Sequence, residues 1–474
     1  MWEGGGFSSV TFLGPTNYNK MYFYGERIMN KLQAGFSRVN ITPMMGIELV
    51  GYFFERPAEG VLDDIEINAL ALACGDDKVV ILSVDNEGLE RDVTTDFRQC
   101  ISEHTGLPME AIYIHSTHSH TAPIVKKDSG VEIEKEYYHF LRRKIVDATK
   151  FALNDLKPAK MGWGIGKAPN ISFVRLYLMK DGSAQTNPGI NNPDIVEPFG
   201  KADDNVYVLR FDRENAEDIV LVNFANHPDS VGGSMISADW LGATRRTVEK
   251  TIDGVRCLVL NGAQGDINHI NVHPTGGYMN DMRMDFDAPR SYKHCEYLGR
   301  VVTGGVLQAF DKVQYVDVDT LKYAQRTIHV ASNMPTPEQL PEAHRIDDLH
   351  KAGKDDELGY SGMMLTTVVA EAWRMVSLEH GPESYAMDFS GLAIGNVAFV
   401  GIPGEPFAGI GYGLRETEDW DLVFINCLTN GKHGYFPTKE AYDIGGYESR
   451  SSFFKAGVAE YIVEEGKKLL QELK

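Results

Sequence analysis

Six short apolar runs, rich in β-branched residues, each stop abruptly at a cluster of His, Asp, Asn, Gly and Pro: VVILSVDNEG (79–88), AIYIHSTHSHTAP (111–123), IVLVNFANHPDS (219–230), VRCLVLNGAQGDINH (255–269), NVAFVGIPGEPF (396–407) and DLVFINCLTNGKHGY (421–435). Continuous apolar runs bounded by turn residues are what strands buried on both faces look like. Between them lie segments of helical character at 134–156, 240–252, 297–310, 364–380 and 450–473. Strands alternating with helices predict an α/β fold with a mixed central β-sheet or sheets flanked by helices. Such folds bind ligands beyond the carboxyl ends of the strands. The polar clusters at those ends are therefore where chemistry is expected.

A chain of 474 residues has room for about three domains. No low-complexity tract and no repeat of 20 to 50 residues divides it, so one large unit over residues 29–474, with insertions, is equally permissible. Polar, Pro/Gly-rich insertions are expected near 271–293 and 331–358. Residues 1–28 read as a flexible arm or an extension from an upstream start, without the basic stretch and apolar run of a secretory signal. The 46 Lys+Arg fall short of the 67 Asp+Glu, for a net charge of −21. Without a basic run, that balance excludes a nucleic-acid partner and disfavours anionic membrane surfaces. No stretch approaches the ~18 consecutive apolar residues of a membrane-spanning helix. The five cysteines (Cys74, Cys100, Cys257, Cys295 and Cys427) are scattered and never form C-x-x-C, which fits reduced thiols in a cytoplasmic protein. A small-molecule substrate is compatible with the net negative charge.

The densest chemical signal is HSTHSHTAP (115–123), directly after an apolar run. In an extended strand His118 and His120 would point the same way, about 7 Å apart, and His115 to the other face. Two imidazoles could then share one site, although H-x-H also arises by accident. His227 in NFANHP ends another run, where a hydrogen-bonded structural imidazole is the ordinary alternative. Glu405 sits in IPGEP, fixed by two prolines and a glycine. Together His118, His227 and Glu405 form a His₂Glu set, a composition that suits hydrolytic zinc. Their common placement at strand ends carries that reading, since they are far apart in sequence.

GAQGDINH (262–269) is a Gly-rich turn after a strand, able to offer backbone N–H groups of residues such as Gly265 to an anion or oxyanion. It lacks the Lys of a phosphate loop, and no G-x-S-x-G elbow occurs in the chain. Asp85, Asp239 and Asp266 at strand ends could orient a ligating His from behind or simply form turns. The tyrosine-rich loop GYFPTKEAYDIGGYE (434–448) reads as an aromatic lid or as a source of phenolic donors and ligands. MNDMRM (279–284) reads as an adaptable loop or pocket wall.

From about Ala34 to Ser452 the chain resembles the catalytic domain of the neutral/alkaline (non-lysosomal) ceramidase family. The motifs run in order: AGFSRVNITP with VGY, VVILSVD, STHSHTAP, NFANHP with ISADWLG, NGAQGDIN, PGEPF and GYFPTKEAYDIGGYE. The resemblance implies one zinc ion per chain, held by His118, His227, Glu405 and Tyr435. It also implies that His120 moves a proton or stabilises an oxyanion, and that Arg175 and Tyr447 contact the reacting carbonyl. Two departures qualify it. Asn268 and His269 stand where the family carries Ser-Pro, which removes any mechanism using that serine as nucleophile. The chain also ends soon after the YE motif, without the family's C-terminal domain, so a small polar amide is expected in place of ceramide. The alternatives are metal-dependent ring-opening, lactone or C–C hydrolysis of a sugar- or cyclitol-derived compound, and a non-catalytic ligand-binding homologue, for which Asn268 is the main support.

Overall fold

The computed structural model describes residues 32–274 and 288–474. The expected extension at 1–28, the MNDMRM segment and the middle of the first insertion lie outside the described residues.

The architecture rests on one four-strand pattern used three times. The first unit comprises β1 (Gln33–Asn40), β2 (Glu66–Cys74), β3 (Asp77–Val84) and β4 (Ile112–Ser116). Its first three strands pair antiparallel, and helix α1 (Arg91–Thr105) crosses over so that β4 runs parallel to β3. Helix α2 (Glu132–Asn154) then leads to the second unit. That unit holds β5 (Lys157–Lys167), β6 (Asn205–Arg213), β7 (Asp218–Phe224), crossover helix α3 (Asp239–Thr251) and β8 (Val255–Asn261), paired in the same way. Helix α4 (Ala288–Phe310) leads to the third unit. There β9 (Leu321–Ala331), a helix pair α5 (Leu340–Lys351) and α6 (Gly362–Leu378), β10 (Ser384–Ile394), β11 (Val397–Gly401), crossover α7 (Ala408–Arg415) and β12 (Leu422–Asn426) repeat the pattern. Helix α8 (Val458–Glu472) closes the chain.

The first two units join edge to edge through Gln33↔Pro158 and Ala34↔Lys157, making a nine-stranded sheet once Gln314–Val316 adds to β5. The third unit is a separate four-stranded sheet. Inner faces of all three share one apolar core, with Leu70, Ile81, Leu209, Leu221, Leu258, Phe399 and Phe424 in contact through it. Outer faces are covered by helices: α1 and α2 on the first unit, α3 and α4 on the second, α7 and α8 on the third. The apolar stripe of α1 (Val93, Phe97, Cys100, Ile101) has the three-to-four-residue spacing that such covering requires.

All six apolar runs of the sequence are the strands of the three parallel pairs, β3/β4, β7/β8 and β11/β12. Burial on both faces removes any polar alternation there. Their carboxyl ends are stitched together by buried polar groups. Asn261 N–H donates to His115 Nε2 (2.9 Å), Ser83 Oγ to the Val259 carbonyl (2.7 Å), Tyr113 OH to Asn426 Oδ1 (2.9 Å) and Asn223 Nδ2 to the Ile425 carbonyl (3.1 Å).

Three boundaries differ from the sequence expectation. The helix expected at 297–310 begins at Ala288. The segment 450–473 is broken into a short helix, Tyr447–Ser451, and α8, with Gly457 at φ +97° as the point of re-entry. The expected insertion at 331–358 starts as the last residue of β9 and folds mainly into α5, which packs on α6.

Candidate metal centre

The carboxyl ends of the three parallel pairs meet, and every unit sends side chains to the meeting point: His118 and His120 from the first, His227 from the second and Glu405 from the third. In the first unit β4 ends at Ser116, so His118 is not on a strand; it adopts φ +74°, and the strand alternation expected from H-x-H does not apply. Its backbone N–H donates to the Asn86 carbonyl (2.8 Å) and its Nδ1 faces the Glu87 carbonyl at 2.6 Å. A carbonyl accepts only from N–H, so this contact leaves the Nε2 of a neutral His118 with its lone pair available. His120 is tied to the second unit by its N–H bond to the Pro228 carbonyl (3.1 Å). His227 follows β7, with Nδ1 3.5 Å from the Gln264 carbonyl. Glu405 follows β11, and Gln264 Nε2 donates to its Oε2 (3.4 Å).

These groups converge. His118 Nε2 lies 3.2 Å from His227 Nε2, 3.3 Å from His120 Nε2 and 3.2 Å from Glu405 Oε2, while His227 Nε2 is 3.8 Å from the same carboxylate oxygen. Ligands 2.0–2.1 Å from a tetrahedral ion stand about 3.3 Å apart. Among the described residues His118, His120 and His227 are the His/Cys/Asp/Glu group close enough to hold a metal ion, all within 4.8 Å of one another. The donor set therefore fits a metal ion.

The electrostatics agree. Burial, reinforced by the neighbouring charge of His118, lowers His120 to about 4; burial and then Arg175 hold His227 well below its ordinary value. Burial works against protonation of His118 too, but the Glu405 carboxylate outweighs it and raises that imidazole. Burial would raise Glu405; the charge and hydrogen bond of His118, with His227 and Arg175, hold it far below the carboxylate range. The site is thus poised as one carboxylate facing imidazoles, an arrangement that a bound cation would complete.

His120 is the residue whose position departs most from expectation. Its Nε2 is inside the group that the sequence reading reserved for other ligands, yet it is the most exposed of the three imidazoles (9%, against 2% and 1%) and lines the cleft. Its buried Nδ1 has no hydrogen-bond partner among the described residues. Tyr435 pairs with Glu405 in a short parallel bridge and faces the cleft beside Tyr447, ring centres 5.6 Å apart. Burial, followed by the Glu405 charge, raises its phenol far above its ordinary value. Arg175 lies beneath these rings, its guanidinium 5.3 Å from the Tyr435 ring, with Nε 2.6 Å from Glu448 Oε1 and Nη2 donating to the Gly265 carbonyl (2.7 Å).

The remaining expected residues have other partners. Gly265 N–H donates to the Pro406 carbonyl (2.9 Å) and so is not free for an oxyanion. A glycine is needed there because a Cβ would stand 2.4 Å from the Glu405 carbonyl oxygen. Asp266 Oδ1 accepts from Ala408 N–H (2.7 Å), and burial pushes its carboxyl up to about 7. Asn268 bonds Asn187 Oδ1 through Nδ2 (3.1 Å) and accepts from Ile270 N–H (3.0 Å). Asp85 takes Arg245 of α3 at 2.5 and 2.9 Å, and orients no histidine. Asp239 accepts from Ser230 Oγ (2.5 Å) and Val231 N–H (3.0 Å), which shapes the loop after His227. His115 is structural, with Nδ1 2.8 Å from the Cys427 carbonyl, and burial lowers it to about 3. Glu87 and Lys432, which line the cleft beside His118, were not singled out in the sequence, although both sit in strand-end clusters of the kind that yielded His227 and Glu405.

The cleft above the imidazoles has a volume of about 530 Å³. Past Tyr52, Phe53 and Phe54 it adjoins a recess of about 720 Å³ walled by Ile190, Ile270, Met363, Leu365 and Val369.

No protein-family model and no curated protein sequence matches the chain. Solved structures do. The crystal structure of neutral ceramidase from Pseudomonas aeruginosa superposes on 94% of this chain and 75% of its own, with a TM-score of 0.70 at 17% identity. A second structure, described as ceramidase complexed with C2, covers 93% and 75%, again at 0.70, with 16% identity. The chain has the neutral ceramidase fold. In this version of that fold, the strand-end meeting point holds the imidazole group described above. No described helix is long and apolar enough to cross a membrane.

Proposed function

We propose that the protein is a metal-dependent amide hydrolase, with a zinc-type ion held by His118, His227, Glu405 and Tyr435. The observation that carries this reading is the convergence of the His118 and His227 Nε2 atoms and the Glu405 carboxylate, 3.2 to 3.8 Å from one another, beneath the cleft. When bound, such an ion supplies Lewis-acid polarisation of a carbonyl and lowers the pKa of water toward about 7. The Glu87 carbonyl orients His118 for that task, and Gln264 orients both His227 and Glu405. His120, whose ring lines the cleft, takes the proton from the attacking water and returns it to the leaving amine. Tyr447 donates to the developing oxyanion, and Arg175, gripped by Glu448, keeps the field around it positive. The apolar recess adds an alkyl or aryl arm to the small polar amide expected from the sequence.

The ceramidase structures support this reading through their fold, and an amide of the ceramide type is one member of the substrate class. Metal analysis of the purified protein should return one zinc-type ion per chain, and a panel of acyl amides should be hydrolysed. Turnover of lactones or cyclic keto-sugars in place of amides would move the reading to ring-opening hydrolysis. A loaded protein inert on both panels would make it a binding homologue.

A further inference from the structure

His118 and His227 each have a backbone carbonyl facing Nδ1, that of Glu87 at 2.6 Å and that of Gln264 at 3.5 Å, whereas Nδ1 of His120 has no hydrogen-bond partner among the described residues. The place of the His120 ring is therefore set by packing and by its own backbone. Both lead to a residue that the reaction as described leaves unused, Arg56.

Arg56 lies in the connection between β1 and β2, which doubles back through Gly46 N–H to the Ala58 carbonyl (2.8 Å) and Leu49 N–H to the Arg56 carbonyl (2.9 Å). The residue is buried, and its guanidinium is spent on three backbone carbonyls. Nη2 donates to Val50 and to His120, both at 2.6 Å, and Nη1 donates to Gly233 at 2.7 Å, while Nε has no partner among the described residues. Nη2 thereby joins the strip of chain that walls the His120 ring to His120 itself. Val50 leads into Gly51, where a Cβ would stand 2.6 Å from His120 Cγ. Tyr52 follows, its ring 4.2 Å from the Arg56 guanidinium and edge-on to the imidazole of His120 with centres 5.4 Å apart. Gly233 belongs to the loop after His227, as does Pro228, whose carbonyl accepts His120 N–H (3.1 Å). Both backbone groups of His120 are thus tethered to the second unit, one directly and one through Arg56. A buried cation with one N–H left unmade is a costly fastening for three carbonyls. What it secures is the place of His120 against the other imidazoles.

We propose that Arg56 is a positioning residue for the proton step: it ties the His120 carbonyl to Val50 and Gly233 and so holds the ring, walled by Gly51 and Tyr52, where it can carry a proton. Arginine suits this work because its planar fork fixes several acceptors in set directions, which a single ammonium does not. The inference rests on the hydrolase reading of the site, with His120 as its proton carrier.

The test compares Arg56→Ala and Arg56→Lys with wild type as metal-loaded proteins, on an acyl amide that wild type turns over. Arg56→Ala should lose about tenfold to a hundredfold in kcat, the cost of a misplacement on the order of 1 Å, while KM and metal content hold. Arg56→Lys should fall between the two. Millimolar guanidinium ion should restore part of the Arg56→Ala loss by filling the vacated space, and should leave wild type unchanged. A second measurement needs no turnover: in metal-free protein, modification by diethyl pyrocarbonate, mapped by mass spectrometry, should reach His120 faster in Arg56→Ala than in wild type, relative to His118 and His227 in the same sample. Wild-type kcat in folded, loaded Arg56→Ala, or a fall in kcat that follows metal content while the relative reactivity of His120 stays at the wild-type value, overturns the proposal. If Arg56→Ala does not fold, Arg56→Lys carries both measurements, and wild-type values for both overturn the proposal equally. Should no amide be turned over, the hydrolase reading fails, and the relative reactivity of His120 alone decides the positioning claim.

Discussion

At the residue scale, His118 and His120 are separated by one serine yet are assigned different work, and the difference is measurable. His118 touches every other member of the group, so His118→Ala should abolish stoichiometric metal binding. His120→Gln should keep the metal and lose turnover by about 10²- to 10⁴-fold, the usual worth of a positioned proton carrier. Loss of metal from both variants alike would make His120 a ligand. Gly51 offers a second probe of the same imidazole. It has φ +105°, and a Cβ there would stand 2.6 Å from His120 Cγ. Gly51→Ala should therefore displace the His120 ring and lower kcat at least tenfold while metal content holds; unaltered kcat would show that the ring has room to move. His118, His227 and Glu405 were legible as strand-end residues, but their convergence was not, because residues 109 and 178 positions apart meet only through tertiary packing. The φ of His118 was equally hidden, since strand periodicity says nothing once the strand has stopped.

At the scale of elements, fully buried strands were the legible ones. The six parallel strands read as unbroken apolar runs, whereas β1 (QAGFSRVN) and β5 (KPAKMGWGIGK) alternate buried and exposed positions and carry Gly and Lys, so they do not stand out as runs. Loops between elements were less legible still, because their partners lie in other units. The Asp266 loop after β8 caps the first residue of α7, in the third unit, through Ala408 N–H. Burial pushes the Asp266 carboxyl up to about 7. A carboxyl raised above its unfolded value near 3.9 favours the folded state at low pH, and this contribution is lost as pH rises from about 4 to about 7. Asp266→Asn keeps the acceptor without the ionisation. In metal-free protein its stability relative to wild type should therefore be level below pH 4, climb across that window and flatten above it, by at most about 4 kcal/mol. Urea denaturation at a series of pH values reads this directly, and a pH-independent difference would mean that Asp266 is already ionised in the folded protein.

For the whole molecule, the three units explain why the site lies where it does. Each supplies a parallel pair whose ends abut the others, and each contributes at the meeting point: His118 and His120 from the first, His227 from the second, Glu405 from the third. The repeat escaped the sequence because its copies share pairing pattern and burial, while their connections differ in length and content, from the helix pair α5–α6 to the small three-stranded sheet within 168–204. A ligand gripped by all three units must stabilise their assembly as a whole, since separating any one of them breaks the site. Metal at about 1,000 times its dissociation constant should add ~4 kcal/mol to unfolding. In a chain of 474 residues that amounts to a rise in melting temperature on the order of 4 °C. Chelation should reverse it as one cooperative shift, seen alike by tryptophan fluorescence and far-ultraviolet circular dichroism. His227→Ala, with its ligand missing from the second unit, should melt at the same temperature with and without metal. A metal-induced rise confined to one spectroscopic probe, with the remainder of the transition unmoved, would mean that the site braces a single unit and that the three units are held together by their shared apolar core and the Gln33–Ala34 pairing with Lys157–Pro158.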